Sequence, residues 1–179
     1  MAEAKLEKQD GGLVPQDGGW FVVNAKDARW FDCGESGWYC GFEGREEAHF
    51  PQLGININVL PPGGPMAMYH AEDLQEDFLV VSGEAVLIVE DEERPLRTWD
   101  FVHLPPSTPH VIVGAGEGPC VVVAVGARRP DRELVYPVSQ TALARGAGVD
   151  QETTEPSEAY ARFPQPEAAA YKDGLLPDL

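Results

Sequence analysis

Short apolar runs that alternate with polar residues recur along the middle of the chain, from residue 54 to residue 125. In the clearest of them, residues 54–60, isoleucine and valine alternate with asparagine, which predicts a strand with one buried and one polar face. Turn-forming pairs such as Pro61-Pro62 and Ser82-Gly83 separate this run from those that follow. Because no run in this region has a helical period, the pattern predicts an all-β sandwich or barrel.

Three regions of the chain differ in character. Residues 1–19 are polar and glycine-rich and are predicted to be a mobile segment. Residues 20–137 are the predicted β-barrel domain, which opens with a strand at 20–24 and contains a hairpin across Ser82-Gly83. Residues 138–179 are predicted to be an extension with short helices, capped by Ser139 and Ser157, that lies on the barrel or on a partner.

The balance of charges narrows the class of partner. Thirteen basic residues against thirty acidic ones give a formal net charge of -17, and a surface this acidic repels nucleic acids and anionic membranes. No apolar run is long enough to cross a bilayer, and the polar N-terminus lacks the apolar stretch of a signal peptide. We therefore expect a cytoplasmic protein. The three cysteines, Cys33, Cys40 and Cys120, lack the spacing of a zinc knuckle and are predicted to be structural.

Candidate metal ligands cluster in residues 64–83. If residues 66–72 are extended, His70 and Glu72 share one face with two methionines, because side chains alternate along a strand. Glu76 would come from the start of the next strand, after a short turn. Imidazole nitrogens and carboxylate oxygens that converge from two strands are suitable ligands for a divalent transition metal.

This segment resembles the first motif of the cupin superfamily, which opens and closes on glycine and contains His-x-His followed by a glutamate. Four positions fall on the register of that motif, namely Gly64, His70, Glu76 and Gly83. Glu72 stands where the second histidine of the motif usually stands.

A later segment resembles the second cupin motif. Three residues match it, namely Asp100, Pro105 and His110, and three depart from it at two glycines and an asparagine, namely Trp99, Ser107 and Gly114. The resemblance covers residues 54–128. It implies a small single-domain protein with the cupin double-stranded β-helix, which is a jelly-roll barrel.

By this resemblance His70, Glu76 and His110 match the cupin metal ligands, a two-histidine, one-carboxylate set that suits Fe(II). Glu72 is either a further ligand or a base beside the metal, and it is the candidate catalytic residue. An additional carboxylate lowers the net charge of the site, which favours iron or manganese, with nickel or zinc as alternatives. Asp77 is the rival of Glu76, but alternation places Glu76 on the face of Phe78.

The other two histidines, His49 and His103, are predicted to be surface or structural residues. Some members of the superfamily have lost the metal, and in that case the carboxylates would be solvated turn residues.

The function predicted from these features is a metal-dependent enzyme, with dioxygenase-like oxidation of a small organic molecule as the leading activity. The alternatives are a non-catalytic module that binds or senses a small molecule, and a metal-dependent isomerase or lyase. The expected partners are a small-molecule ligand or substrate and a second copy of the chain in a homodimer, with no nucleic acid and no membrane. Fold alone does not choose among these activities, because one barrel hosts many functions.

Overall fold

A computed structural model describes residues 2–177 of the protein. Within these residues the regular elements are β-strands, two short α-helices and two 3-10 turns at Gly34–Ser36 and Glu46–Ala48. The strands are β1 Leu6–Gln9, β2 Gly12–Pro15, β3 Arg29–Asp32, β4 Trp38–Gly41, β5 Leu53–Leu60, β6 Ala71–Glu72, β7 Glu76–Ser82, β8 Glu84–Val89, β9 Glu92–Arg97, β10 Phe101–Leu104, β11 His110–Ala115, β12 Cys120–Ala127, β13 Leu134–Val135 and β14 Glu167–Ala169. The helices are α1 Gln140–Ala144 and α2 Pro156–Ala159.

Two antiparallel sheets contribute to the core of the protein. The larger has seven strands in the order β10-β7-β12-β5-β4-β3-β14, and the smaller has three in the order β11-β8-β9. Apolar side chains from both sheets form one cluster, here called the barrel core, which consists of Leu60, Phe78, Val80, Ala85, Leu87, Leu96, Val102, Leu104, Ile112, Cys120 and Val122. Burial of these side chains against each other is the main force that holds the two sheets together.

The C-terminal extension covers part of the other face of the large sheet, around β3 and β4. Trp30, Cys40, Val59 and Val121 form a second buried cluster on that face, and Tyr171 with two leucines of the tail packs against it. Strand β14 also pairs with β3 and extends the sheet. The predicted extension therefore lies on the barrel.

The chain between β7 and β8 does not form the hairpin that the sequence predicts. Strand β7 belongs to the large sheet and β8 to the small one, so Ser82-Gly83 carries the chain from one sheet to the other. Gly83 has a φ of 80°, and a Cβ there would lie 2.5 Å from the carbonyl oxygen of Pro119. Only glycine fits this position, because both the backbone conformation and the space exclude a side chain.

Two departures from the second cupin motif fall on strained backbone. Trp99 has a φ of 73° and Ser107 has a φ of 66°. This left-handed conformation explains why glycine suits these positions, since a Cβ costs on the order of 1 kcal/mol there. Here the surrounding strands hold a tryptophan and a serine in the same conformation.

The predictions for the ends of the chain differ from the structure in detail. No strand covers residues 20–24, where Trp20 makes only an isolated bridge to Glu3, so that prediction is wrong. The N-terminal segment contains the β1–β2 hairpin, a local structure that its polar composition did not indicate. Ser139 caps α1 as predicted, accepting a hydrogen bond from the Ala142 amide, whereas the second helix begins at Pro156 with Glu155 as its cap.

An ion pair between Glu43 and Arg128 fastens the loop before β5 to the end of β12. The two guanidinium contacts to the carboxylate are 2.7 and 2.6 Å long, and the same arginine donates to the Phe50 carbonyl at 3.0 Å. Burial alone would raise the pKa of Glu43, but the hydrogen bonds and charge of Arg128 lower it below its ordinary value of 4.5. The ionised carboxylate therefore stabilises the folded state.

We predict that Glu43→Gln lowers the free energy of unfolding at pH 7 by about 1 kcal/mol, because it removes a partly buried ion pair. A carboxylate with a lowered pKa contributes its stability above pH 4.5, and loses it as the pH falls through the pKa of the folded state. The difference between wild type and variant should therefore shrink below that pH. Urea unfolding at a series of pH values measures it.

The control for this experiment is Glu92→Gln, which breaks an exposed ion pair to Arg94. It should leave the unfolding free energy unchanged at pH 7. A Glu43→Gln protein as stable as wild type at pH 7 would contradict the assigned role of the pair.

Candidate metal centre

Three of the predicted ligands meet at one end of the barrel core. Glu76 Oε2 lies 3.4 Å from His70 Nε2 and 3.3 Å from His110 Nε2. The donor atoms of the three side chains, here called the metal set, all lie within 4.8 Å of one another. Both histidines are buried and Glu76 is partly buried, so the set is largely shielded from water.

The position of the two histidines follows from backbone pairing. The amide of His70 donates to the carbonyl of His110 at 3.1 Å, and the amide of His110 donates back to His70 at 2.8 Å. Residues directly opposite each other in an antiparallel pair point to the same face, and the two imidazole ring centres are 4.8 Å apart. The predicted extended segment 66–72 is interrupted, because the chain bends at residues 66, 67 and 69 and makes only isolated bridges to β11, at Pro65 and His70, before β6.

Glu76 reaches the histidines from the large sheet. It opens β7, two residues before Phe78, whose ring centre lies 5.6 Å from that of His110. Alternation therefore directs Glu76 to the inner face, as the sequence predicts. Asp77 points away from the set and pairs with His103 at 2.7 Å.

The free nitrogens of the two imidazoles are directed into the set. His70 Nδ1 lies 2.7 Å from the Met68 carbonyl and His110 Nδ1 lies 2.9 Å from the Thr108 carbonyl. A carbonyl only accepts, so each Nδ1 carries a proton and each ring directs its Nε2 at the set. Among the described residues His110 Nε2 is buried without a hydrogen-bond partner.

The directions of the pKa shifts in the metal set are those expected if its side chains share one proton. Burial would lower the pKa of His70, but the hydrogen bond and charge of Glu76 raise it above the ordinary value. Burial would raise the pKa of Glu76, and the contact with His70 lowers it. The pKa of His110 is lowered by burial and then by the charge of His70. A divalent cation would replace that proton and satisfy all three donors.

These residues fit a divalent transition metal. Two imidazole nitrogens and one carboxylate oxygen are a common ligand set for such ions, and the fixed Nδ1 contacts orient the rings for binding. The orphaned, buried Nε2 of His110 is the observation that a metal would explain.

Glu72 lies outside the metal set. The short strand Ala71–Glu72 pairs with Leu134–Val135, and the Glu72 carboxylate forms an ion pair with Arg132 at 3.0 Å. Burial and the charge of Glu76 raise the pKa of Glu72, while Arg132 opposes this. The geometry does not bring Glu72 among the ligands, because β13 and Arg132 hold it to one side; its role as a fourth ligand or a base stays a prediction.

The remaining histidines lie elsewhere. His103 is half exposed beside Asp77, and His49 lies 2.8 Å from Glu43 in the loop before β5. Both positions agree with the surface or structural roles predicted for them.

Sequence reasoning missed two tyrosines that flank the set. The Tyr160 hydroxyl accepts a hydrogen bond from the Met68 amide at 3.2 Å, and the ring centre of Tyr136 lies 6.1 Å from that of His70. The two tyrosine rings meet edge to face, with centres 6.0 Å apart. Both lie outside the two motifs, Tyr136 at the end of the predicted barrel domain and Tyr160 in the extension, and no spacing in the sequence pointed to either.

An apolar cavity of about 530 Å³ adjoins Tyr160. Its walls include Tyr39, Met66, Tyr160 and Phe163, and Met66 also packs against the barrel core. The predicted pocket wall Met66 therefore faces a space large enough for a small organic molecule. Met68, predicted to share that wall, packs instead against Tyr136 and Ala159.

Comparison with known proteins identifies the family. The model of the family described as "Cupin domain" matches residues 56–126. Residues 56–126 therefore form a cupin domain. The matched residues contain all four candidate ligands, three in the first motif and His110 in the second. No protein with curated annotation matches the sequence.

Solved structures of several other proteins share the fold. A candidate sugar phosphate isomerase from Acidithiobacillus ferrooxidans is 24% identical, with a TM-score of 0.50, over 57% of this chain and 67% of its own. The polyketide cyclase RemF from Streptomyces resistomycificus is 15% identical, with a TM-score of 0.51, over 62% and 82%. A protein described as a predicted oxalate decarboxylase, from Thermotoga maritima, is 18% identical, with a TM-score of 0.52, over 60% and 99%.

These similarities show that the cupin has the double-stranded β-helix fold with few short helices, as the resemblance of its motifs implied. Each chain matches only part of the present one, and the N-terminal hairpin and much of the extension lie outside the cupin-domain match. Neither helix of the described chain is long enough to span a membrane.

We predict that Glu76 and Glu72 differ in their effect on metal content. Glu76→Gln removes the anionic member of the set and should lower the bound metal at least tenfold after loading with Fe(II) or Mn(II). Glu72→Gln should retain the metal, because its carboxylate is held by Arg132. Elemental analysis of the two purified variants, made side by side, measures this.

The two substitutions are both isosteric and lie close together, so each variant is the control for the other. Equal loss of metal in both would show that Glu72 is a ligand and would contradict the geometry described above.

Proposed function

We propose that this cupin is a metal-dependent enzyme that oxidises a small organic molecule with dioxygen, using iron or manganese held by His70, Glu76 and His110. The observation that carries the proposal is the pair of imidazole Nε2 atoms directed at one buried carboxylate, with His110 Nε2 otherwise unpartnered. Three protein ligands leave positions open for small molecules, as in iron-dependent oxygenases. Nickel and zinc are alternative occupants.

A bound ion would supply Lewis acidity and, if it is redox-active, a route for electrons. The residues of the chain supply the remainder. The Met68 and Thr108 carbonyls orient the two rings, Phe78 packs beside His110, and Tyr136 with Tyr160 limits the access of water. The apolar cavity beside Tyr160 offers a place for the body of the substrate.

Glu72 is proposed as the residue that takes up or delivers a proton near the metal set. Its pKa is raised by burial and by Glu76, which brings it closer to neutral pH than an exposed carboxyl. Arg132 holds the carboxylate in a fixed direction at 3.0 Å. This assignment needs no ligation of the metal by Glu72.

A second candidate is metal-dependent isomerase or lyase chemistry. The names of the similar structures support it, since they include a candidate isomerase, a cyclase and a predicted decarboxylase. The same ligands would serve, because Lewis acidity alone polarises a carbonyl group of a substrate. A non-catalytic binding or sensing module is the third possibility, and it would need the cavity but no turnover.

The central test compares His110→Ala with His103→Ala. We predict that His110→Ala loses at least nine tenths of the bound metal, because it removes a buried ligand, and loses any oxygen uptake with phenolic and acidic compounds. His103→Ala should retain both, because His103 is half exposed and pairs with Asp77 outside the set. Elemental analysis and an oxygen electrode provide the measurements.

Unchanged metal content in His110→Ala would overturn the metal site. Metal-loaded wild type that consumes no oxygen with these compounds, yet transforms one of them, would favour the isomerase or lyase alternative. Binding without any transformation would favour the non-catalytic module.

The proposed partner is a second copy of the chain. The outer face of the large sheet carries an apolar row in which Phe101 is opposite Leu79, Leu79 opposite Val123 and Val123 opposite Ile57. Phe101 is 66% exposed in the monomer. A twofold axis would pack this row against itself, sheet on sheet, and remove the apolar surface from water. A cytoplasmic location remains the expectation that accompanies this proposal.

We predict that Phe101→Glu shifts the protein from dimer to monomer, because it places a charge in the apolar row of the proposed interface. Sedimentation velocity of wild type and variant measures the change. Val22→Glu is the control, since Val22 is 80% exposed and lies outside this row. A wild type that sediments as a monomer at high concentration would contradict the proposed homodimer.

A further inference from the structure

Arg29 is an arginine without an acidic partner in a very acidic protein. Among the described residues, five other arginines form ion pairs, namely Arg94, Arg128, Arg129, Arg132 and Arg145. Arg29 forms none of these pairs, and its Nε is buried without a hydrogen-bond partner within residues 2–177. The guanidinium lies instead over the ring of Phe31, 5.1 Å from its centre. A buried N–H without an acceptor raises the free energy of the folded state, so a group that accepts a hydrogen bond here would be stabilising.

The register of the large sheet places Arg29 on the same face as the barrel core. Arg29 is opposite Gly41, Gly41 opposite Asn56, and Asn56 opposite Ala124, which in turn is opposite Phe78 of the barrel core. Directly paired residues share a face of the sheet. The row therefore runs from Arg29 towards the phenylalanine that packs beside His110.

The middle of this row is empty. A Cβ built on Gly41 would have no atom within 4 Å, so the space between Arg29 and Asn56 is open. Gly41 does not have a left-handed backbone, so its lack of a side chain is not required by conformation. The row therefore contains an open space with backbone beneath it and polar side chains on either side.

Both flanking groups offer hydrogen-bond donors to this space. The Asn58 amide nitrogen donates to Asn56 Oδ1 at 2.8 Å. The Asn56 oxygen is thereby engaged, and its own amide group is left to donate. Arg29 has only donors. A ligand atom between them must accept hydrogen bonds, and beside a guanidinium an anion is favoured.

We propose that Arg29 and Asn56, with the open space over Gly41 between them, form a subsite for the carboxylate of a small organic acid. The planar guanidinium matches a carboxylate in a two-point contact, and the stacked rings of Phe31 and Tyr39, 4.6 Å apart, give the site an apolar wall. The use of such an acid as the substrate rests on the proposed function, whereas its binding at Arg29 does not. The net charge of -17 repels anions in general, so capture depends on this local cation.

The test uses benzoate as the probe, with full-length protein labelled with ¹⁵N, both as purified and after removal of metal. We expect benzoate to shift the Arg29 Nε–H resonance, assigned with Arg29→Lys, and the Gly41 amide, in a saturable manner. Benzyl alcohol, the neutral analogue, should shift neither. The dissociation constant should rise about tenfold or more in Arg29→Gln, which removes a charge-assisted contact.

Gly41→Val tests the same subsite without loss of the arginine. Its side chain would fill the open space, so benzoate binding should weaken at least tenfold while the fold is retained. Gly118→Val is the matched control, because a Cβ at Gly118 also meets nothing within 4 Å but lies in an exposed turn. Arg97→Gln is the second control, at an exposed arginine outside the row. Both controls should bind benzoate as wild type does.

Three results would overturn the proposal: no shift of the Arg29 resonance at millimolar benzoate, unchanged affinity in Arg29→Gln, or unchanged affinity in Gly41→Val. Inorganic phosphate that binds more tightly than benzoate would overturn the assignment to a carboxylate. His110→Ala distinguishes the two proposals, because it loses metal if the proposed function is correct and still binds benzoate if the subsite is correct.

Discussion

The reciprocal backbone pairing of His70 and His110 is the interaction on which the site depends. Two amide–carbonyl hydrogen bonds of 3.1 and 2.8 Å join residues that are forty positions apart in the chain. The pairing fixes the rings side by side, and the carbonyls of Met68 and Thr108 then fix their rotation. Such bonds are strong where water is excluded, so the rings are preorganised before any ligand arrives.

The third member of the set depends on a different constraint, the packing of two sheets. His110 belongs to the small sheet and Glu76 to the large one. Their donor atoms approach to 3.3 Å only because the barrel core holds the sheets face to face. A carboxylate and two imidazoles in this space cannot all be neutral and unpaired, and the directions of their pKa shifts express that conflict. The same conflict makes the site receptive to a cation.

The C-terminal extension contacts the barrel at several places. Tyr160 of the extension packs against Tyr136, which lies beside His70, while the final residues cover part of the outer face of the large sheet and β14 adds an edge strand. These contacts explain how a polar tail remains attached to the domain. They also place the apolar cavity at the junction of barrel and tail, next to Tyr160.

The sequence by itself determined the fold and three members of the site. Two local patterns carried these predictions: period-two alternation in residues 54–60, and the spacing of glycine, histidine and glutamate in residues 64–83. Both motifs are still recognisable although Glu72, Trp99 and Ser107 differ from the residues usual at those positions. Alternation was also sufficient to choose Glu76 over Asp77, because neighbouring residues of a strand point to opposite faces.

Only the tertiary structure decided which contacts join distant parts of the chain. Ser82-Gly83 has the local sequence of a hairpin turn, but in the structure it carries the chain from the large sheet to the small one. Glu72 was separated from the metal set by a partner strand and by Arg132, sixty residues later in the chain. Likewise, Tyr160 reaches Met68 only because the extension folds back onto the barrel. Arg29, Gly41 and Asn56 become neighbours only through the register of the large sheet. No local sequence pattern predicts either contact, because both depend on residues far apart in the chain.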